Sequence, residues 1–335
     1  MKWISLLLLL ASANSFSITH EEDLSTTIFQ EVVDTKLSPD SIESFAIRSR
    51  GVVIRAVILK NGVEEVIRDL NFTASRRDNC EKGETFTATA DLSLSNFKIQ
   101  GSWSREFELE VEGYCKEGYK LIFNYDSIGG EYFKVRSVAS SLSKKLKEIG
   151  LGDFIERKIK IKFPSDGDYY NGSVNVTKGY QWDVVGHEIG HAIYSHAGIG
   201  RSAGGSHRID ECYSNTLALS EGWASFFSAW VSVDLSDPMA KFEYMVPRRA
   251  PLEIEHVPSD VCKGPTNEWR VYSFLWDLID LNNDNENISI SFKDLWDLSV
   301  GKRFSSIVEF KDEVLSSGFD PVLVNVVYSQ NIEGI

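Results

Sequence analysis

The sequence predicts an α+β fold in which a β-sandwich-like N-terminal domain precedes a mainly helical domain. Apolar residues alternate with period two between residues 51 and 125, as expected for half-buried strands. Near residue 133 the apolar period becomes helical, and beyond residue 183 helical patterns are joined by polar loops. The length of 335 residues fits two domains, and 42% hydrophobic with 25% charged residues is an ordinary globular composition.

The first residues have the features of a secretory signal. Lys2 is a short basic region, residues 4–11 are mostly apolar, and Ala11-Ser12-Ala13 is a small-residue cleavage site. This apolar run is too short to span a bilayer, and no later run reaches 18 apolar residues. We therefore expect residues 1–17 to be removed and the mature protein to be secreted or extracytoplasmic, soluble and without a stable membrane anchor. A buried N-terminal helix is the alternative.

Residues 18–132 form the predicted β-rich domain. Residues 52–59 and 63–67 flank Asn61-Gly62, a dipeptide typical of a type I′ hairpin turn. Several short strands at this spacing indicate a β-sandwich. The other alternating runs have their apolar positions from Phe86 to Leu94, from Phe107 to Val111 and from Tyr119 to Tyr125.

Residues 133–335 form the predicted second domain. Apolar positions from Val135 to Ile149 have helical spacing, and Gly150 is the expected stop. Residues 158–163 and the pair Val174 and Val176 alternate again, which predicts two short strands. The run from Asp280 to Asn287 reads as a loop. Its acids at spacing two leave a calcium site open, although the central glycine and distal glutamate of an EF-hand loop are missing.

Four cysteines suit an exported protein and allow three pairings. We favour Cys80–Cys115 and Cys212–Cys262, because each bridge then stays inside one predicted domain. A cysteine zinc site is disfavoured because no CxxC motif occurs. A net charge of −14 also argues against binding to nucleic acid. Glycosylation sequons, which depend on the host, stand at Asn71, Asn171, Asn175 and Asn287.

Histidines are concentrated in one short segment, where His187-Glu188-Ile189-Gly190-His191 forms an HExxH motif. The apolar residues around the motif have helical spacing, and Asp183 is a reasonable N-cap. Positions i and i+4 place both imidazoles on one helix face, as a single Zn²⁺ ion requires. The sequence therefore predicts a zinc site with His187 and His191 as ligands.

The third zinc ligand must come from elsewhere in the chain. A metzincin would have a histidine six residues after His191, but Ala197 stands there. Glu221 lies in a helical pattern that has an aromatic stripe and a second stripe of small residues, and the small residues could lie close against the first helix. An isolated carboxylate in that setting needs a partner, and a cation provides one.

With HEIGH on one helix and SEGWASFF on the next, residues 155–280 resemble the gluzincins, the zinc metallopeptidase superfamily that includes thermolysin. The resemblance implies that His187, His191 and Glu221 bind one zinc ion per chain and that Glu188 is the general base. It implies hydrolysis of peptide bonds by a zinc-activated water, with a peptide or protein as substrate.

Two features depart from the gluzincin pattern. The gap between His191 and Glu221 is longer than in thermolysin, and its excess is the Gly-Ser-rich stretch 198–206. Four residues after the ligand glutamate the family usually has an aspartate that hydrogen-bonds a ligand histidine. Ser225 stands there instead, and its hydroxyl can accept the imidazole N–H without adding charge.

Several other residues are candidates for substrate contacts. Tyr272 and Arg270 could donate to the oxyanion, although an aromatic core position and a salt bridge are the structural alternatives. His196 and His207 read as loop residues that could orient substrate. We also expect the strand at residues 173–177 to align an extended peptide by β-augmentation, with Asn175 unmodified or its sugar pointing away.

Taken together, these features predict an exported zinc-dependent peptidase whose β-rich domain orients or recruits substrate. Two alternatives remain open. The first is an exported binding protein that holds zinc without proteolytic activity, and the second is a zinc hydrolase of non-peptide amides.

Overall fold

The structure is a computed structural model that describes residues 53–67, 70–74, 84–101, 104–114, 118–282 and 287–335. Its mixture of helices and small sheets confirms the predicted α+β class. The predicted signal segment 1–17, the predicted bridge between Cys80 and Cys115 and residues 283–286 of the predicted calcium loop lie outside the described residues. Within these ranges, no helix combines the length and the apolarity needed to cross a membrane.

The chain divides into two compact units, one comprising residues 1–136 and 162–164 and the other residues 137–161 and 165–335. The strands of the first unit are β1 (Val53–Lys60), β2 (Val63–Val66), β3 (Asn71–Ala74), β4 (Thr85–Asp91), β5 (Phe97–Gln100), β6 (Glu110–Tyr114) and β7 (Gly118–Asn124). One of its sheets has the strand order β2-β1-β7 and another has the order β3-β4-β6. In the first sheet, β1 pairs antiparallel with β2 and parallel with β7.

The hairpin between β1 and β2 confirms the turn predicted from Asn61-Gly62. The φ angles of these two residues are 51° and 79°, both positive as a type I′ turn requires. Lys60 pairs with Val63 directly across the turn. In β4 the predicted alternation is also observed, because Phe86, Ala88 and Ala90 are buried while the residues between them are more exposed.

The first helix, α1 (Ile128–Glu148), confirms the helical period but begins before residue 133. The Ser127 hydroxyl caps its first turn by accepting the Gly130 N–H at 3.1 Å. Gly129 and Gly130 have poor helix propensity, which hid this start in the sequence. Gly130 is required here, because a Cβ atom would lie 2.1 Å from the Asn124 carbonyl oxygen. After the helix, Gly150 takes a φ of 77°, as expected for its stop.

The second unit is built mainly from helices. Its short strands are β8 (Ile159–Lys162), β9 (Tyr169–Tyr170), β10 (Val174–Asn175), β11 (Lys241–Phe242) and β12 (Leu252–Glu253). Its helices are α2 (Trp182–Ala197), α3 (Asn215–Ser232), α4 (Glu268–Asp277), α5 (Phe292–Ser299), α6 (Ile307–Ser316) and α7 (Pro321–Tyr328), followed by a π-helical turn at Ser329–Glu333. Nearly all of α3 is buried, because its aromatic residues pack on the later helices; the rings of Trp230 and Phe292 stack with centroids 3.6 Å apart.

The proposal that residues 173–177 present a free edge to substrate is wrong. Strand β10 lies inside its sheet, with β8 on one side and β9 on the other. Asn175 is 1% exposed, and its Nδ2 donates to the carbonyl oxygens of Ser173 at 2.9 Å and Tyr169 at 3.1 Å. These bonds satisfy a polar side chain that the alternation placed on an outer face, and a glycan there would require the amide to leave the interior.

Helices α2 and α3 approach closely because small residues face each other along their contact. A Cβ atom on Gly190 would lie 2.8 Å from the carbonyl oxygen of Ala224, and one on Gly186 would lie 2.3 Å from the Ser228 hydroxyl. The expectation that the small-residue stripe formed by Ala218, Glu221, Ser225 and Ser228 lies against the first helix is therefore confirmed at Ser228. Ala224, which was not part of the predicted stripe, adds a second small residue to the contact. Both glycines lie on the helix beside the HExxH histidines.

We predict that Gly190→Ala destabilises the protein, even though alanine favours helix more than glycine does. The added methyl group meets backbone atoms of Ala224, which cannot rotate away, and overpacking of this kind typically costs about 1–3 kcal/mol. Urea denaturation measures the free energy of unfolding. The control is Gly152→Ala, whose methyl group would meet only ordinary contacts at 3.6 Å. Equal unfolding free energies for the two variants would contradict the tight helix contact.

Candidate metal centre

Helix α2 brings the two histidines of the HExxH motif to one place. Their Nε2 atoms are 3.1 Å apart and their rings are nearly perpendicular, at 87°. Glu221 reaches them from α3, and its Oε2 atom lies 3.1 Å from the Nε2 atom of each histidine. The three residues that the sequence suggested as ligands therefore converge, and each offers one ligand atom to a common point.

Hydrogen bonds cannot satisfy all three contacts of this group at once. A carboxylate oxygen only accepts, and each neutral imidazole carries a single N–H, so at most two of the three contacts are hydrogen bonds. The remaining pair of atoms lies 3.1 Å apart without a bond, whereas a cation at the common point would be bound by all three atoms. Ligand atoms at about 2.0–2.2 Å from a tetrahedral Zn²⁺ ion lie about 3.3 Å apart, so the observed spacing fits zinc.

Ser225 orients the first of these histidines. Its Oγ atom lies 3.1 Å from His187 Nδ1 and 3.8 Å from the sulfur of Met245. The hydroxyl can therefore donate toward Met245 and accept the Nδ1–H of His187, which leaves the His187 Nε2 lone pair directed at Glu221. A serine thus occupies the place where gluzincins usually have aspartate, and it fixes the ring without adding a charge.

Asp183 holds the segment that carries Met245, and the expectation that it caps α2 is wrong. The helix begins at Trp182 with Gln181 as its N-cap. The Asp183 carboxylate is buried and accepts the backbone N–H groups of Glu243, Tyr244 and Met245 at 2.8, 2.7 and 3.1 Å. Burial raises the pKa of Asp183, although these backbone bonds oppose the shift.

Glu188 lies beside the ligand group without joining it. Its side chain is buried, and among the described residues its Oε2 atom has no hydrogen-bond partner. Burial raises the pKa of Glu188 to about 7, and the negative charge of Glu221 acts in the same direction. Burying a carboxyl oxygen without a hydrogen-bond partner costs free energy. We therefore expect a ligand, a cation or a water molecule to contact this oxygen.

Glu221, Glu268 and His187 have different electrostatic environments. Burial opposes ionisation of Glu221, but the imidazoles of His187 and His191, 3.1 Å away, lower its pKa well below the usual range. Burial raises the pKa of Glu268 to about 8, and the charge of Glu221 adds to that shift. Burial also lowers the pKa of His187 and favours its neutral, ligand-competent form.

These residues line an open cavity of about 440 Å³. One wall is formed by Asp168, Tyr169 and Tyr170, and another by the Gly-Ser-rich segment that follows α2. A cavity of this size can take part of an extended peptide.

Two residues of the cavity were not identified as one group by the sequence. His207 points its Nε2 atom at Glu268, 3.2 Å from Oε2, and lies 3.7 Å from Oε2 of Glu221. Sequence analysis predicted His207 only as a loop residue that could orient substrate, and it assigned no site role to Glu268. No local pattern links them, because the contact is made between two distant segments.

A disulfide joins those two segments. Cys212 and Cys262 form a bridge, which confirms the pairing predicted from the sequence. The side chain of Asn267 adds bonds from its Nδ2 atom to the carbonyl oxygens of Ile209 at 2.8 Å and Glu211 at 2.9 Å. The chain after His207 and the chain before Glu268 are therefore tied together beside the cavity.

The other candidate residues do not line this cavity. Tyr272 is fully buried, and its hydroxyl lies 3.4 Å from the Glu253 carbonyl oxygen. Arg270 is buried too, and its guanidinium donates to the carbonyl oxygens of Val261, Cys262 and Asn331. Neither is therefore placed to donate to an oxyanion. His196 is exposed near the end of α2.

Comparison with protein-family models gives no match, and a search of curated proteins gives no significant match. The chemistry of the site must therefore be argued from the residues themselves. The donor set has two imidazoles and a carboxylate, a combination that suits zinc and related transition metals.

We predict that Ser225→Ala weakens zinc binding about 10–100-fold, the usual scale for loss of a group that orients a ligand histidine. The reason is that His187 Nδ1 loses the Ser225 hydroxyl, which lies 3.1 Å away, and the ring becomes free to turn. Competition with a chromophoric chelator measures the zinc dissociation constant. Ser195→Ala, an exposed change on the same helix, serves as the control. An unchanged constant in Ser225→Ala would show that the hydroxyl does not orient His187.

Proposed function

We propose that this chain is an exported zinc-dependent peptidase of the gluzincin type. The proposal is supported by the convergence of His187, His191 and Glu221 beside Glu188, whose Oε2 atom has no hydrogen-bond partner in the part of the chain that the structure describes. A site that only stores or structurally binds zinc needs ligands and no adjacent acid. Here a buried glutamate adjoins the ligands and faces a cavity that admits a substrate.

Each residue has a distinct part in the proposed reaction. His187, His191 and Glu221 hold the metal, and Ser225 keeps the His187 ring in position. Bound zinc supplies a Lewis acid and lowers the pKa of a water molecule to about 7. Glu188 takes the proton from the attacking water and delivers it to the leaving amine. Its buried carboxyl group beside the ligands faces the cavity, where it can accept a proton and later release it.

The edge of the sheet beside the cavity offers a place for an extended substrate. Strand β9 is the last strand on that side of its sheet, and both of its residues, Tyr169 and Tyr170, line the cavity. It therefore takes the aligning role that the sequence assigned to residues 173–177. A peptide paired with β9 would pass Glu188, and main-chain pairing is largely independent of the side chains of the substrate.

The finer architecture belongs to the same proposal. We infer a β-sandwich-like accessory domain over residues 18–132 and a gluzincin-like catalytic domain over residues 133–335. The helical domain contains the whole ligand group, and the apolar leader at residues 1–17 supports export. The bridge between Cys212 and Cys262 also fits an oxidising compartment.

We predict that Glu188→Gln lowers peptide turnover about 10²–10⁴-fold while retaining zinc, because the amide keeps the size of the side chain and cannot accept a proton. Cleavage of a mixed peptide library, followed by mass spectrometry, measures the activity. Metal analysis of the same samples measures the zinc content. Glu148→Gln, on an exposed helix surface, is the matched control and should behave as the wild type.

Comparison with Glu221→Gln separates the general base from a ligand. This variant should lose zinc as well as activity, because Glu221 touches both histidines. If wild type and Glu188→Gln cleave peptides equally at equal zinc content, the base is wrongly assigned. If the wild type binds zinc and cleaves no peptide, the protein is either a zinc-holding binding protein or a hydrolase of other amides, which a panel of non-peptide amides distinguishes.

A further inference from the structure

We propose that His207, Glu268 and the shared Glu221 form a second, weaker Zn²⁺ site beside the one formed by His187, His191 and Glu221. The ligand atoms of these three residues all lie within 4.8 Å of one another. His207 Nε2 lies 3.2 Å from Oε2 of Glu268 and 3.7 Å from Oε2 of Glu221. The proposal rests on the proposed function only through Glu221, which both sites use.

The hydrogen bonding of His207 leaves its Nε2 atom facing two acceptors. Its Nδ1 atom lies 2.9 Å from the carbonyl oxygen of Gly205, which can only accept, so Nδ1 carries the proton of the neutral ring. The Nε2 lone pair then points at two carboxylates. Metal-binding histidines have this arrangement, in which one ring N–H donates to a backbone carbonyl and the other nitrogen binds the metal.

Charge gives a second reason to expect a cation. Glu221 and Glu268 are both buried, with side chains only 6% and 11% exposed. Among the described residues, neither forms an ion pair with a lysine or an arginine; nearby Arg208 pairs with Glu211 and Arg248 with Asp210. A zinc ion bound only at the first site leaves the Glu268 carboxyl group without a metal cation, and a buried ionised carboxylate needs one close by. A second cation at His207 and Glu268 would supply it.

The scaffold holds this pair in place before any ligand arrives. The disulfide between Cys212 and Cys262 and the two bonds from Asn267 join the segment after His207 to the segment before Glu268. The backbone N–H of Tyr213 also donates to the Thr266 carbonyl oxygen at 2.8 Å. Ligands that are already positioned lose little entropy on binding, which favours a genuine site over a chance contact.

The ligand set indicates both the metal and the relative affinity. One imidazole and carboxylate oxygens suit Zn²⁺ better than Ca²⁺ or Mg²⁺, which prefer oxygen alone. The second site has a single histidine and shares its other buried carboxylate with the first site. We therefore expect the second equivalent of zinc to bind more weakly than the first.

Zinc titration of the metal-free full chain tests the proposal. Isothermal calorimetry, together with metal analysis after gel filtration in dilute zinc, should give two equivalents for the wild type. His207→Ala and Glu268→Gln should each give one, with the tighter equivalent retained. His196→Ala, which removes an exposed histidine of α2 outside the cavity, is the matched control and should keep two. Circular dichroism of each variant confirms that the chain is folded.

The stoichiometry distinguishes the second site from the proposed function. If the wild type binds one equivalent of zinc and His207→Ala also binds one, the second site is overturned and the first remains. His207 and Glu268 then form an ion pair. Two equivalents in both His207→Ala and Glu268→Gln would also overturn it. No bound zinc in the wild type would overturn the first site and the proposed function as well.

Discussion

Close contact between the backbones of α2 and α3 is the constraint on which the metal centre depends. Gly186 and Gly190 are one helical turn apart, as are His187 and His191, so one face of α2 is flat beside a face that carries the imidazoles. The flat face lets α3 approach until Glu221 reaches both rings at 3.1 Å. Larger residues in place of Gly186 and Gly190 would keep the Glu221 carboxylate away from the two imidazoles, even though all three ligand residues were present.

Burial in this helix contact also affects the acids of the cavity, whose pKa values shift in opposite directions. Glu221 stays ionised because two imidazoles face it. Burial raises the pKa of Glu188, and its Oε2 atom has no hydrogen-bond partner among the described residues. Glu221 and Glu188 carry the same carboxyl group, but their different neighbours suit the first to be a ligand and the second to be a proton acceptor. In the proposed reaction this difference separates metal binding from proton transfer.

Local periodicity determined how much the sequence could predict. Three short-range patterns in the sequence are present in the structure. They are the pair of histidines at i and i+4, the stripe of small residues around Glu221 and the turn at Asn61. The burial of Asn175 was missed because an alternating pattern assigns a face and does not reveal side-chain bonds to nearby carbonyls. The contact between His207 and Glu268 has no local signature, since a disulfide and backbone bonds bring two distant segments together.

The long connection between His191 and Glu221 can now be understood as part of the site. Helix α2 ends at Ala197, where Gly198 takes a left-handed φ of 59°, and the chain then turns back along the cavity. It returns His207 to the side of Glu221, is fixed at Cys212 and enters α3 after the cap at Ser214. A loop that served only as a spacer would need neither the disulfide nor a histidine directed at two carboxylates. The connection therefore adds the His207 imidazole to the candidate metal centre, and it is the feature that brings His207, Glu221 and Glu268 together as a second group of potential ligands.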